Sequence, residues 1–149
     1  MPEKDPVKVL ATNRSASHNY FIEEKVEAGM VLQGTEVKSL RQGRANLKES
    51  YGLIRNGEIW LLNCHIPPYS HGNLNNHDPL RERKLLLHRE EIRRLERRSK
   101  LAGLTLVPLR LYLQKGRVKV EMGVARGKKL YDKREAIKKR DLDRESRRE

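Results

Sequence analysis

The histidines are the first residues in this chain that could do chemistry, because imidazole binds metals and transfers protons near neutral pH. Three of the five, His65, His71 and His77, are spaced six residues apart. Compact zinc sites use ligand pairs about two to five residues apart, usually with cysteine, and Cys64 is the only thiol. We therefore expect no metal site. A nuclease with His65 and His71 as base and acid stays open as an alternative, although their spacing does not favour it.

Other common catalytic signatures are absent from the sequence. The chain has no Gly-Lys-Ser/Thr phosphate loop, no nucleophile elbow and no dinucleotide fingerprint around Gly123 and Gly127. The signals for binding are therefore stronger than those for catalysis, and no cofactor is expected.

The charge of the chain indicates its function more strongly than the histidines do. Lys and Arg number 33 against 20 Asp and Glu, so the formal net charge is +13, which indicates a polyanionic partner. Five basic residues between 126 and 134 face only Asp132, which favours phosphate binding there. Around residues 81–100 glutamates neutralise part of the charge, so a solvated face is an equal alternative. The few aromatic residues favour structured RNA over a broad single-strand stacking platform, with Tyr20 and Tyr131 as candidates for base stacking.

The compartment follows from two features of the chain. No apolar run approaches the roughly 18 residues that a membrane span needs, and the N-terminus lacks a signal-peptide pattern. A single cysteine allows no intrachain disulfide, as in a reducing compartment. We predict a cytoplasmic protein without a membrane partner.

The elements that would position these residues are mostly strands. Alternating apolar residues predict a hairpin of residues 105–113 and 118–124, and Asn56-Gly57 predicts a second between 51–55 and 58–63. Residues 20–32 predict a further strand, with a bulge or corner at Ala28-Gly29. Helices are predicted over 88–102, ended by Gly103, and over 35–41, with a long loop over 64–80.

Together these elements predict a mainly β protein with two or three helices, folded as a small, closed, OB-like β-barrel. We expect residues 1–12 to form a flexible arm, 13–126 the RNA-binding barrel, and 127–149 a basic tail. The tail has too little apolar surface to order itself, so it should be disordered when free and helical on a phosphate surface.

Four blocks of sequence resemble one family. They are residues 13–20 (NRSASHNY), 34–41 (GTEVKSLR), 78–87 (DPLRERKLLL) and 123–134 (GVARGKKLYDKR). Their order and spacing resemble the SsrA-binding proteins, also called small protein B, which are the partners of tmRNA in bacterial trans-translation.

The resemblance implies a function and a set of partners. Such a protein would grip the tRNA-like domain of tmRNA, which is charged with alanine and bound to elongation factor Tu, and deliver it to stalled 70S ribosomes. Its tail would lie in the empty mRNA path near the ribosomal RNA of the decoding centre. Translation would then resume on tmRNA, and the nascent peptide would be tagged for degradation. A general RNA-binding or ribosomal OB protein is the alternative.

The resemblance also implies site residues. Asn13 would pair with a base edge or ribose, Glu27 would accept from a guanine edge, Leu86 would pack on a sugar or base, and Lys119 would neutralise a phosphate. Leu86 could instead be core, and Glu27 could pair with a nearby basic side chain. Further RNA-binding candidates are Arg14, His18, Tyr20, Lys38, Arg41, Arg83, Lys84, Lys128 and Lys129. The ribosome-binding tail would use Tyr131, Asp132, Lys133, Arg134, Ile137, Lys138, Lys139 and Arg140.

Overall fold

A computed structural model describes residues 6–70 and 76–128 of the chain. In chain order the elements are β1 (Lys8–Thr12), α1 (Ala16–Asn19), β2 (Tyr20–Met30), α2 (Gly34–Arg41), β3 (Tyr51–Arg55), β4 (Glu58–Leu62), β5 (Arg83–Leu86), α3 (Arg89–Ala102), β6 (Thr105–Gln114) and β7 (Arg117–Gly127). The predicted mainly β fold with two or three helices is confirmed.

All strand pairings are antiparallel, and the strand order is β1-β6-β3-β4-β5-β2-β7. Because β6 also pairs with β7, six strands form a closed cycle of pairings, and β1 pairs with residues 110–113 of β6, beyond the point where β3 pairs with that strand. The cycle closes between β3 and β6 at Gly52 and Leu106. A Cβ at Gly52 would lie only 2.9 Å from Leu106 Cβ, so glycine permits this close approach. OB-type connectivity stays a prediction.

Both predicted hairpins are confirmed. Asn56 and Gly57 have φ values of 55° and 74°, as the type I′ turn between β3 and β4 requires. Lys115 and Gly116 turn the chain between β6 and β7 in the same region of backbone space. Each of these turns is therefore determined by its own residues and not by contacts distant in the sequence.

The core lies inside the cycle and beneath α3. Alternate residues of the strands, such as Leu61 and Val120, are buried there. From α3, Ile92 and Leu95 enter the same core, and Gly103 ends the helix in the left-handed conformation as predicted. Leu40 of α2 is also fully buried. The helices therefore cover the core and leave much of the outer sheet face accessible.

Two predictions about the chain's course are wrong. Lys8–Thr12 is not a loose arm, because it is paired with β6 as strand β1. The irregularity in β2 falls between Ile22 and Glu24 and not at Ala28-Gly29, where pairing with β7 is continuous. Within the described residues, no helix is long and apolar enough to span a bilayer.

Candidate nucleic-acid interface

Glu27 on β2 and Lys119 on β7 face each other on the outer side of the sheet. Lys119 Nζ donates to Glu27 Oε1 at 2.9 Å, and the Tyr112 hydroxyl on β6 donates to the other oxygen, Oε2. The Glu27 side chain is 52% exposed and that of Lys119 31%, whereas Tyr112 is only 3% exposed. Adjacent strands therefore hold an accessible carboxylate in a fixed orientation.

Electrostatics keep this carboxylate ionised. The hydrogen bond from Tyr112, followed by the bond from Lys119, lowers the pKa of Glu27 below its usual value. Burial, reinforced by the bond to Glu27, raises the pKa of Tyr112, so its hydroxyl remains a donor at neutral pH. Each Glu27 oxygen keeps a further lone pair for a donor from outside.

A second ion pair lies on the same outer face of the sheet. The Arg110 guanidinium lies 4.8 Å from the centre of the Tyr112 ring, and Arg110 Nε is 3.5 Å from Glu121 Oε2. In the β6–β7 ladder, Arg110 is opposite Glu121 and Tyr112 is opposite Lys119. The face thus combines both signs of charge, which suits recognition of base edges together with phosphates.

Leu86 lies beside this pair. It is 53% exposed and belongs to β5, where it pairs with Gly29; Gly29 also pairs with Lys119 across β2 and β7. Gly29, Leu86, Val118 and Lys119 are among the residues that line a groove of about 430 Å³. Leu86 is therefore a surface residue, as RNA contact requires, and three of the four positions implied by the family resemblance lie together.

Asn13 lies elsewhere and has structural partners. Its side-chain amide donates to the carbonyls of Pro108 and Leu47 at 2.9 and 3.3 Å, and its Oδ1 accepts from Ser15. These bonds fix the chain between β1 and α1. Asn13 also lines a concavity of about 410 Å³ that we term the polar depression; its lining includes Asn13, Asn19, Tyr20, Lys48, Glu49, Tyr51, Asn63, Thr105 and Val107.

The predicted RNA contact of Arg83 is contradicted by its position, because the side chain is inaccessible from the surface. It is fully buried, and its Nε donates to Glu36 Oε2 at 2.5 Å while its Nη1 donates to the Cys64 carbonyl at 2.6 Å. Arg81 donates to the other Glu36 oxygen at 2.6 Å. Burial raises the pKa of Glu36, but these hydrogen bonds outweigh it and the pKa is lowered. The buried pair joins α2 to β5.

The remaining body candidates are dispersed. Arg14, Lys38 and Arg41 are exposed, with Lys38 Nζ 5.5 Å from the centre of the Tyr69 ring, and Tyr20 and His18 are half-buried. Lys84 pairs with Glu58 at 3.2 Å on the outer side of β4 and β5. The structure does not gather these side chains into one site.

Lys128 lies where the body meets the tail. Its backbone N–H donates to the Asn19 carbonyl at 2.8 Å and its Nζ to the Ser17 carbonyl at 2.9 Å. Lys128 and Arg126 both lie over the exposed Phe21 ring, 4.8 and 5.2 Å from its centre. The tail candidates Lys129, Tyr131, Asp132, Lys133, Arg134, Ile137, Lys138, Lys139 and Arg140 lie outside the described residues and stay predictions.

Of the candidates for chemistry, Cys64 and His77 have packing roles, whereas His65 is exposed with its backbone paired to Asn46, and His71 lies outside the described residues. His77 is buried, with Nε2 2.7 Å from the Ile66 carbonyl and Nδ1 2.9 Å from Thr35 Oγ1. Burial raises the pKa of the Cys64 thiol to about 11, so it is not a nucleophile at neutral pH. Among residues 6–70 and 76–128 no three His, Cys, Asp or Glu side chains are grouped as metal ligands.

Sequence reasoning missed Tyr112 as a partner of Glu27. A tyrosine on the charged parity of a strand, between Arg110 and Gln114, is an available signal, because an aromatic residue on an outer face needs a partner for its hydroxyl. The polar depression was missed because its residues come from distant segments.

The antiparallel cycle and its charged outer face define a small β protein whose surface is suited to nucleic acid. The sequence model of the family described as SmpB protein matches residues 10–149. An SsrA-binding protein of Caldicellulosiruptor saccharolyticus is 57% identical over 145 residues, 97% of this chain and 92% of that protein. The chain therefore belongs to the SmpB protein family.

Further comparisons agree with this assignment. An SsrA-binding protein of Geobacillus kaustophilus is 60% identical over 138 residues, 93% of this chain and 89% of that protein. A chain in a solved structure described as "tmRNA-SmpB: a journey to the center of the bacterial ribosome" is 48% identical, with a TM-score of 0.70 over 85% of this chain and 93% of that one. The resemblance in the four sequence blocks is confirmed.

Proposed function

We propose that this protein binds tmRNA and serves trans-translation. It grips the tRNA-like domain of alanyl-tmRNA, travels with elongation factor Tu to a stalled 70S ribosome in the cytoplasm, and places its basic tail in the empty mRNA path. It acts by binding and performs no catalysis. Membership of the SmpB family and the similarity to a chain from a tmRNA–ribosome structure support this proposal.

One observation in the chain itself carries the proposal: the exposed carboxylate of Glu27 within a protein of net charge +13. Positive charge attracts any RNA, because phosphate contacts release counterions irrespective of sequence. A fixed carboxylate repels phosphates and accepts only from donors such as those on a guanine edge. Glu27 is therefore suited to discrimination, with Lys119 and Leu86 beside it to contact a phosphate and a sugar or base.

A competition experiment at fixed, near-physiological salt tests the proposal. Labelled tRNA-like domain is bound to the full-length protein and displaced by unlabelled tRNA-like domain or by bulk tRNA. We expect the cognate RNA to displace the label at a much lower concentration, since specific complexes exceed non-specific ones by about 10³-fold or more. Equal displacement by both RNAs would identify a general RNA-binding protein and reject the proposal.

The absence of catalysis has its own test. Labelled RNA is incubated with the purified protein, with and without a chelator. We expect it to stay intact in both samples, whereas cleavage would support the histidine-dependent nuclease that the sequence left open.

A further inference from the structure

We propose that the polar depression binds one unstacked nucleoside of the bound RNA and reads its base. The inference deepens the proposed function, since it takes an RNA partner as given. The depression has a volume of about 410 Å³, which is within the range of about 300–1,000 Å³ that small-ligand sites occupy.

Its lining has the chemistry for a base. Tyr20 and Tyr51 supply aromatic surface, and Tyr51 is 38% exposed although it belongs to a strand. Asn19 and Asn63 supply side-chain amides, each able to donate and accept, as a base edge requires. Within the described residues neither amide makes a hydrogen bond, so both are available to a ligand.

The charge of the lining favours a base over a phosphate. Lys48 and Glu49 both line the depression and carry opposite charges. A site for an isolated phosphate would need net positive charge, whereas a nucleobase is neutral at physiological pH. Aromatic rings with unpaired amides are the means by which proteins recognise unstacked RNA bases.

The backbone conformation of Asn63 is also consistent with a ligand site. Asn63 follows β4 with φ of 58°, in the left-handed region that non-glycine residues rarely adopt. Its carbonyl accepts a hydrogen bond from Ser50 Oγ at 3.2 Å, which leaves the side chain to the depression. Asparagine adopts this region more readily than most non-glycine residues, so Asn63 can hold the conformation without its side chain being used locally.

The position of the depression fits one continuous RNA surface. Thr105 and Val107 line it and pair with Ala125 and Gly123 of β7. Side chains alternate along a strand, so these positions share the outer face with Lys119. Ala125 lies six positions along β7 from Lys119, a span of about 20 Å at about 3.3 Å per residue. One RNA domain can reach both places.

Asn63→Gly is the direct test, because glycine tolerates the left-handed backbone and removes only the amide. Asn56→Gly is the matched control: Asn56 has φ of 55°, lies in the turn of the β3–β4 hairpin at the end opposite to Asn63, and is outside the depression. We expect Asn63→Gly to weaken binding of the tRNA-like domain about tenfold, and Asn56→Gly to leave it unchanged. Equal affinities for the two variants, both with parental melting temperatures, would overturn the inference.

A titration without RNA separates the inference from the proposed function. Nucleoside 5′-monophosphates are added singly to ¹⁵N-labelled full-length protein, and the side-chain amide signals of Asn19 and Asn63 are followed. We expect one base to shift both signals more than the others, and inorganic phosphate to shift neither. Identical responses to all bases and to phosphate would refute base reading. If the competition experiment instead shows no preference for tmRNA, the proposed function fails and this titration still decides the role of the depression.

Discussion

Lys119 and Glu27, the two charged residues expected to contact RNA separately, form an ion pair with Nζ and Oε1 2.9 Å apart. Bound RNA must therefore join or replace an existing interaction. An exposed pair of this kind contributes little to stability, so its exchange for RNA contacts costs little. The same pairing holds the carboxylate where a base edge can reach it.

Substitution of Glu27 by Gln should lower specificity. Glutamine replaces one acceptor oxygen with a donor amide, which opposes the donors of a guanine edge. We expect about tenfold weaker binding of the tRNA-like domain, with a salt slope no smaller than that of the parent, since no phosphate contact is removed. Binding isotherms at several salt concentrations measure both quantities.

Glu82→Gln is the control for this substitution, because Glu82 is 49% exposed and also ion-paired, with Arg55 at 2.6 Å. Glu82→Gln should bind like the parent. Parental affinity in Glu27→Gln would show that the carboxylate does not read a base.

Substitution of Lys119 by Ala should change the salt dependence. If Lys119 neutralises one phosphate, its loss lowers the slope of log K against log salt by up to about one unit and weakens cognate and bulk RNA alike. Lys100→Ala, which removes a lysine paired with Glu96 on α3, is the comparison. An unchanged slope in Lys119→Ala would exclude the phosphate contact.

Tyr112 should act on RNA through Glu27. Phenylalanine preserves packing at this buried position and removes the hydrogen bond, so Tyr112→Phe should weaken cognate binding in the parent. In a Glu27→Gln background it should have little further effect, because the group it orients is gone. Equal losses in both backgrounds, measured as a double-mutant cycle, would show that Tyr112 acts independently.

The hydrogen bond from Tyr112 to Glu27 also predicts that the stability of the protein depends on pH. The pKa of Glu27 is lowered in the folded protein, first by Tyr112 and then by Lys119. The stability that this provides is present above the unfolded pKa and is lost as pH falls through the folded value. Urea unfolding followed from neutral to acidic pH should therefore show a smaller acid-induced loss in Tyr112→Phe than in the parent. An identical loss would contradict the stated cause of the shift.

Arg83 should be essential for stability. Arg83→Leu leaves Glu36 buried with only Arg81 as an ionic partner, and removal of one member of a buried pair costs about 3–5 kcal/mol. Denaturant unfolding measures this loss. The double substitution with Glu36→Leu should recover part of it, since no fully buried charge then remains and Arg81, whose side chain is 29% exposed, can turn to solvent. Near-parental stability of Arg83→Leu would contradict the structural role.

Deletion of residues 132–149 should separate binding from ribosome rescue. The proposed RNA-binding face lies on strands, the last of which ends at Gly127, so the affinity for the tRNA-like domain should be nearly unchanged. Peptide tagging on stalled ribosomes in a reconstituted translation system should be lost. A large loss of RNA affinity on truncation would count against the assignment of separate roles to body and tail.

Local features of the sequence were sufficient for much of the fold. The hairpin turns at Asn56-Gly57 and Lys115-Gly116, and the end of α3 at Gly103, depend on neighbouring residues and the backbone freedom of glycine and asparagine. β1 was missed because residues 8–12 are short and only weakly patterned, and their strand exists through its pairing with β6.

The candidate site was predictable only in part. The alternation of residues along β7 correctly predicts that Lys119 lies on the surface. The partner of each charged side chain, however, comes from a strand that is distant in the sequence. Arg83 illustrates the limit: a basic residue in a basic block predicts a solvent or RNA contact, yet Glu36, 47 residues away, draws it into the interior. Register shifts in β2 and β6 also change which residues share a face, and no periodicity shows them.

The sequence alone was sufficient to predict a polyanionic partner, a strand-rich body with a basic tail, and the family, because composition, short-range periodicity and motif order are properties of the chain itself. The tertiary structure decided which charges are free, paired or buried. It joined Glu27 to Lys119 and Tyr112, enclosed Arg83, exposed Leu86 and assembled the polar depression. Each of these depends on contacts between residues far apart in the chain, which form only when the cycle of strands closes.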